Sequence, residues 1–219
     1  MITFTEIKNN EAINTYIRKA DESLTALGFT EHSFAHVGCV AEVSKYILQT
    51  LGYPERLTEL VQIAAWLHDI GNLVNRTDHS LSGAVMVFRI LDNLGMNAEE
   101  ISEIVTSIGN HDEGNGIPVS TMSAALILAD KSDVRRSRVR NSDETKFDIH
   151  DRVNYSVRSS ELKINNSMDT ITLNLDIDTR YCSVMDYFEI FLQRMLLCRK
   201  AAHSLGLHFE LIINGQLLG

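Results

Sequence analysis

Cysteine is scarce and scattered: the 219 residues contain three, Cys39, Cys182 and Cys198. None belongs to a Cys-x-x-Cys pair, which excludes a disulfide framework and a thiolate zinc site and leaves three reduced, partly buried thiols. Positive charge is in deficit, with 20 Lys and Arg against 29 Asp and Glu and a net charge of −9. Broad binding to nucleic acid depends on neutralising phosphates with Lys and Arg, so it is not expected here. Long apolar runs are missing, since no stretch approaches the roughly 20 residues that span a bilayer. The first residues, Met1-Ile2-Thr3-Phe4-Thr5-Glu6, lack the basic region and apolar core of a secretory leader. The expectations are a cytoplasmic location and no membrane partner. No Gly-x-Ser-x-Gly elbow and no thiolate in a reactive setting is present, which leaves covalent catalysis without a nucleophile.

What is present is helical periodicity. At 44% hydrophobic residues the chain can bury a sizeable core. Ile13, Ile17, Ala20, Leu24 and Leu27 fall at steps of three and four before Gly28. A second run from Ser33 carries Val37, Val40, Ala41, Ser44, Ile47, Leu48 and Leu51 and ends at Gly52. Leu57, Val61, Ala64 and His68 share one face of a third helix. Leu81, Ala84, Val85, Phe88, Leu91 and Leu94 form a fourth, stopped by Gly95. Asn97 with Glu100 predicts a capped helix through Ile108, and Ser120 caps an apolar helix from Met122 to Ala129. From about residue 141 the texture changes. Ile171, Leu173, Leu175 and Ile177 alternate with polar residues, which predicts a strand paired with the segment Val153 to Ile164. A long helix from Ser183 to Leu205 precedes a strand from Leu207 to Ile213. The expected architecture is mainly α: a helical bundle over residues 1–140 and a small C-terminal α+β appendage, β-β-α-β, over 141–219.

Metal-capable residues cluster along the bundle. His32, His36, His68, His79 and His111 account for five of the eight histidines. His68-Asp69 ends a buried stripe, His36 opens a helix, His79 and His111 lie at helix edges, and Asp130 closes the helix begun at Ser120. Taken singly, each histidine reads as a hydrogen-bonded core residue. Together, imidazoles and carboxylates from five segments are the donors a borderline divalent cation takes in a helical bundle.

His36-Val37-Gly38-Cys39-Val40-Ala41-Glu42, Leu67-His68-Asp69-Ile70-Gly71 and Ala129-Asp130-Lys131-Ser132-Asp133 together resemble the successive signatures of the HD-domain metal-dependent phosphohydrolases, over roughly residues 30 to 140. The resemblance implies that His36, His68, Asp69 and Asp130 bind one metal and that His79 and His111 add a second, bridged by Asp69. The implied cofactor is two divalent ions, Fe or Mn by donor type, with Mg, Zn, Ni or Co as alternatives. His32 competes with His36 for the first position, but the helical spacing after His36 fits better. Asn72 stands where the cyclic-dinucleotide phosphodiesterase branch carries lysine, and His111-Asp112 where that branch doubles histidine. The pattern is nearer to the branch that cleaves dinucleoside polyphosphates and mononucleotides.

The expected reaction is hydrolysis of a phosphomonoester or phosphoanhydride of a nucleotide-like molecule by hydroxide formed from metal-bound water. Catalytic roles are expected for Asp69, Lys131 and Asp133, and substrate binding for Asn72, Arg76, Lys131, Arg135 and Arg138. Asp112 and Glu113 are further carboxylates, for supporting the metal ligands or for protonating the leaving group. His150, His203 and His208 are expected to be structural. Two other functions remain open at this level: a regulatory metal- or nucleotide-binding module without turnover, and a dinuclear-iron oxygenase. The expected partner is a small phosphorylated substrate, with a homodimer as an open alternative to a monomer.

Overall fold

The computed structural model describes residues 1–218. Its helical body consists of α1 (Phe4–Lys8), α2 (Glu11–Ala26), α3 (Phe34–Thr50), α4 (Glu55–Leu67), a 3-10 turn (Ile70–Leu73), α5 (His79–Asn93), α6 (Ala98–Gly109) and α7 (Thr121–Ser132). After two further 3-10 turns come α8 (Ile149–Ser156), β1 (Val157–Ile164), β2 (Thr170–Ile177), α9 (Val184–Ser204), β3 (His208–Ile213) and the two-residue β4 (Gln216–Leu217). The expected mainly α body with a β-β-α-β appendage is what the chain forms.

The helix starts reflect local chemistry. Asn10, Ser33, Asn97 and Ser120 each accept a hydrogen bond from a backbone N–H of the first turn, worth about 1 kcal/mol apiece. Glu100 does not complete the cap on α6. Its carboxylate takes two hydrogen bonds from Arg56 at 2.7 and 2.6 Å, which ties α6 to α4. The short α1 has no periodicity to read and is held by a Thr3–Glu6 capping box with Ile7 as its buried anchor.

One expectation is corrected. Val153 to Ser156 are helical, not extended: Asp148 caps α8 by accepting from the Asp151 N–H, and Val153 is buried one turn after Ile149. The strand therefore begins at Val157. On α5 the buried residues are His79, Ser80, Gly83, Val87 and Leu91, while Leu81, Val85 and Phe88 are 49%, 71% and 53% exposed. The small residues of α5 face inward because that side meets the 3-10 turn closely.

The sheet has the order β1-β2-β3-β4, with β1–β2 antiparallel, β2–β3 parallel and β3–β4 antiparallel. The parallel pair needs a crossover, which α9 supplies. Gly206, at φ +76°, ends α9 in the left-handed conformation that closes such helices. Ile171, Leu173 and Leu175 pair with Phe209, Leu211 and Ile213, and all six are buried. The sheet is fastened to the bundle by Ser160, whose hydroxyl donates to the Ser132 carbonyl at 2.6 Å, and by Ile164, whose N–H donates to the Tyr46 hydroxyl at 3.1 Å. One continuous apolar cluster runs from Ile7 through the bundle to Ile213. Among the described residues no helix is long and apolar enough to cross a membrane.

The three thiols are free. Burial pushes the Cys39 thiol up to about 11 and the Cys198 thiol up to about 12, and it raises Cys182 as well. All three stay protonated near pH 8, where the thiolate is the reactive form. A disulfide-exchange reagent at that pH should label native protein slowly and label three thiols per chain once denaturant is added; fast labelling of the native state contradicts this.

Candidate metal centre

Five helix ends and one turn meet inside the bundle. His36 lies in the first turn of α3, His68 is the C-cap of α4, and Asp69 comes directly before the 3-10 turn. His79 is the first residue of α5, His111 stands just past the C-cap of α6, and Asp130 lies in the last turn of α7. All six side chains are buried. Two local devices bring His79 to Asp69. Asp78 takes the left-handed conformation, at φ 56°, and so turns the chain directly into α5. Gly71 allows α5 to close in, because a Cβ there would lie 2.0 Å from the His79 carbonyl and 2.5 Å from the Gly83 nitrogen.

The donors fall into two groups that meet at Asp69. His36 Nε2 lies 3.5 Å from Asp69 Oδ2 and 3.3 Å from Asp130 Oδ1. His68 Nε2 lies 3.3 and 3.7 Å from the same two oxygens. On the other side, His79 Nε2 is 3.4 Å from Asp69 Oδ1 and 3.2 Å from His111 Nε2. Donors about 2.1 Å from one cation sit roughly 3 to 3.5 Å from each other. Two groups of three bring their donor atoms within 4.8 Å of one another as possible metal sites: His36, His68 and Asp130, and His68, Asp69 and His111.

Tautomers are set by the other ring nitrogens. His68, His79 and His111 direct Nδ1 at the carbonyls of Ala65, Arg76 and Ile108, at 2.7, 3.2 and 2.6 Å. A carbonyl only accepts, so each Nδ1 carries the proton and each Nε2 presents a lone pair. His36 Nδ1 donates to Asp133 Oδ2 at 2.7 Å, and that carboxylate is itself held by Arg135 Nε at 2.8 Å. His36 Nε2 and His68 Nε2 are buried without any hydrogen-bond partner. The facing Nε2 atoms of His79 and His111 present two lone pairs to each other. Such an arrangement calls for a cation between the donors, and the residues fit one.

The charge states agree. Burial lowers the pKa of His79 and His111, which keeps both imidazoles neutral, as a metal ligand must be. Burial also acts to lower His68, but the Asp69 and Asp130 carboxylates outweigh it and push His68 up to about 10. With no metal present, a proton on His68 is the cation those carboxylates attract. Against the desolvation cost, His68 holds Asp69 ionised and Lys131 holds Asp130 ionised.

Of the other expected residues, Asn72 is buried and donates from Nδ2 to the Asp69 carbonyl and to Asp69 Oδ1, at 2.9 and 3.0 Å. Lys131 is buried with Nζ 2.7 Å from Asp130 Oδ2 and 2.6 Å from Glu113 Oε2. Arg76 and Arg138 line a cleft of about 370 Å³ beside the donors, together with His32, Glu113, Phe191 and Arg194. Arg135 is not among its lining residues: it donates to Asp133, Ser137 and Glu31. His32 is anchored through Nδ1 to the Thr30 carbonyl at 2.7 Å, with its ring 5.4 Å from that of His36. His150, expected to be structural, is an exposed residue on the cleft wall. Arg194 has no counterpart in the sequence expectations. Its signal was a charge on the apolar stripe of α9, three residues after Phe191 and four before Cys198, both buried.

The sequence model of the HD domain matches residues 33–164. This chain belongs to the HD-domain family. The match includes α3 to α8 and β1, hence every donor of the metal centre, and stops before α9. Among proteins similar to this HD-domain chain, the uncharacterized protein MJ1020 of Methanocaldococcus jannaschii is 28% identical over 184 residues, covering 73% of this chain and 70% of the relative. A solved structure, a predicted HD superfamily hydrolase from an uncultured Thermotogales bacterium, aligns with a TM-score of 0.47 and 23% identity over 61% of this chain and 75% of that one. HD domains bind divalent metals, and the His and Asp groups described above are where this member can hold them.

Asp133→Asn leaves His36 in place but weakens the partner of its Nδ1, so metal affinity should fall about 10- to 100-fold in competition with a chelator; an unchanged affinity contradicts the orienting role. Gly71→Ala forces backbone apart between the 3-10 turn and α5. It should destabilise the protein by on the order of 3 kcal/mol in denaturant unfolding, whereas Gly38→Ala, whose added Cβ meets nothing nearer than 3.8 Å, should cost about 1 kcal/mol or less.

Proposed function

We propose that this chain is a metal-dependent phosphohydrolase that cleaves a phosphomonoester or phosphoanhydride of a small, nucleotide-like molecule. The observation that carries the reading is Asp69, whose two carboxylate oxygens face two different sets of imidazoles, His36 and His68 on one side and His79 on the other. His36, His68, Asp69 and Asp130 would hold one divalent ion, and Asp69, His79 and His111 a second, with iron or manganese suited to such mixed imidazole and carboxylate donors. Ions bound there supply Lewis acidity, which lowers the pKa of water toward neutrality and draws charge from phosphate oxygens.

The protein's own groups complete the chemistry. Asp133 fixes the ring of His36, and Asn72 restrains the backbone and one oxygen of Asp69. Both keep donors in place without contact to substrate. Lys131 is held charged: burial opposes this, but Asp130 and Glu113 raise its pKa. That ammonium places a fixed positive charge beside the donors, suited to a phosphate oxygen. Glu113, between Lys131 and Arg194, keeps its carboxylate well below the usual range despite its burial, so it serves as an anion and not as a proton donor. Asp112, with Oδ1 3.9 Å from His79 Nε2 and its side chain partly exposed, is the better-placed carboxyl to pass a proton to a leaving group.

The experiment is metal analysis of anaerobically purified protein, run with phosphate release from a panel of mononucleotides and dinucleoside polyphosphates in added manganese or iron. About two ions per chain are expected, with turnover lost and metal content reduced in Asp69→Ala. A metal-loaded protein inert toward the whole panel overturns the hydrolase reading and leaves a regulatory module.

A further inference from the structure

Arg194 enters the cleft from α9, beyond the residues that define the family match. Its Nε donates to Glu113 Oε1 at 2.7 Å, and its guanidinium lies 4.4 Å from the centre of the Phe191 ring. Arg76, from the loop before α5, lines the same cleft, donates from Nη1 to Asn72 Oδ1 at 3.3 Å and lies 5.6 Å from the Phe29 ring centre. Each guanidinium is thus held over an aromatic ring and anchored by one N–H. Among the described residues, neither Nη atom of Arg194 and neither Nε nor Nη2 of Arg76 has a hydrogen-bond acceptor.

Arg135 shows what a structural arginine looks like in this protein: its Nε, Nη1 and Nη2 all donate to protein groups, and it stays out of the cleft. Arg194 and Arg76 keep their forks open. A guanidinium already ordered by stacking and one hydrogen bond loses little further freedom when its remaining pair of N–H groups grips a phosphate. Arg138 adds a third cation to the cleft, anchored by Nε to the Glu31 carbonyl and by Nη1 to the Asp133 carbonyl. Acidic side chains line the cleft too, but Glu113 is shared by two cations, Lys131 and Arg194. Asp148 and Asp151 belong to the start of α8. The arginine side is therefore cationic. Only Glu113 and Lys131 separate Arg194 from Asp130 of the donor set.

We propose that Arg194 and Arg76 hold a second phosphate of the substrate, one that is not being cleaved, so that the protein selects molecules with two or more phosphate groups over simple monoesters. This rests on the phosphohydrolase reading for the reacting end. Arg194 is then a specificity residue supplied by the C-terminal part of the chain, and the acidic start of α8 leaves acceptors for hydroxyl or amino groups of the same ligand.

The test compares binding of methylenediphosphonate, which carries two anionic groups and resists hydrolysis, with binding of methylphosphonate, which carries one, to the full chain as purified. Calorimetry should give the diphosphonate an advantage of about tenfold or more, and Arg194→Gln and Arg76→Gln should each remove most of it, with Arg194→Lys recovering part. Metal content and thermal unfolding are read on every variant, and the ratio of kcat/KM for pyrophosphate to that for p-nitrophenyl phosphate should fall by about tenfold in Arg194→Gln. Equal binding of the two phosphonates by the unaltered protein overturns the proposal. So does an advantage that survives both Gln variants, or one lost only together with metal or with the folded state. Diphosphonate selectivity that depends on Arg194 in a protein hydrolysing nothing keeps the phosphate site and removes the hydrolase reading; turnover without such selectivity does the reverse.

Discussion

Asp69 is a buried carboxylate with an oxygen committed to each of two donor sets, and the bundle is organised around keeping it there. Like charges and facing lone pairs repel strongly where water is excluded, so Asp69, Asp130 and four imidazoles would not stay together unaided. The protein meets this with rigid anchors on the far side of each ring. Three backbone carbonyls and Asp133 hold the Nδ1 atoms, two of those carbonyls, of Ala65 and Ile108, lying in the last turns of α4 and α6. Positive charge on His68 and Lys131 offsets the two carboxylates, and the facing lone pairs of His79 and His111 leave room for a further cation.

The sheet and α9 are part of the same construction. Ser160 grips the last turn of α7, where Asp130 and Lys131 lie, and α9 reaches back through Arg194 to Glu113 and thence to Lys131. The residues after 164, outside the family match, therefore touch the charged groups beside the metal donors. A candidate metal centre built by the helices of the family match is edged on one side by residues beyond that match.

The helical body, and the helix boundaries at which the six candidate donors fall, were legible in the sequence because their signals are local. Periodic apolar residues, caps and terminal glycines mark the helices, and His36, His68, Asp69, His79, His111 and Asp130 each fall at a boundary those signals define. What could not be read is set by contacts between distant segments. Whether an arginine is spent or open depends on what it meets across the fold. Thus Arg135 is consumed by Asp133 and Glu31, and Arg194, without any motif around it, arrives in the cleft through a crossover helix. The inward side of α5 was hidden for a related reason: close approach at Gly71 favours Ser80 and Gly83 over the larger Leu81, Val85 and Phe88. At Val153 to Ser156, a short capped turn of helix has too few residues to declare its period.

The left-handed turn at Asp78 has a consequence for how this chain can change over time. His79 begins α5, and Gly83, one turn on, rests against Gly71, so the azimuth of the whole helix is fixed by where it starts. Each residue inserted or removed within α5 between these points would rotate the remainder of the helix by about 100°, carrying either the imidazole or the small residue off its partner. In the loop before α5, Val74, Asn75 and Thr77 are exposed and free to vary in composition, whereas Arg76, the left-handed Asp78 and the spacing from His79 to Gly83 are not. Substitutions should therefore accumulate at those three positions across descendants of this sequence while gaps in the adjoining helix do not, a rule of length imposed by geometry.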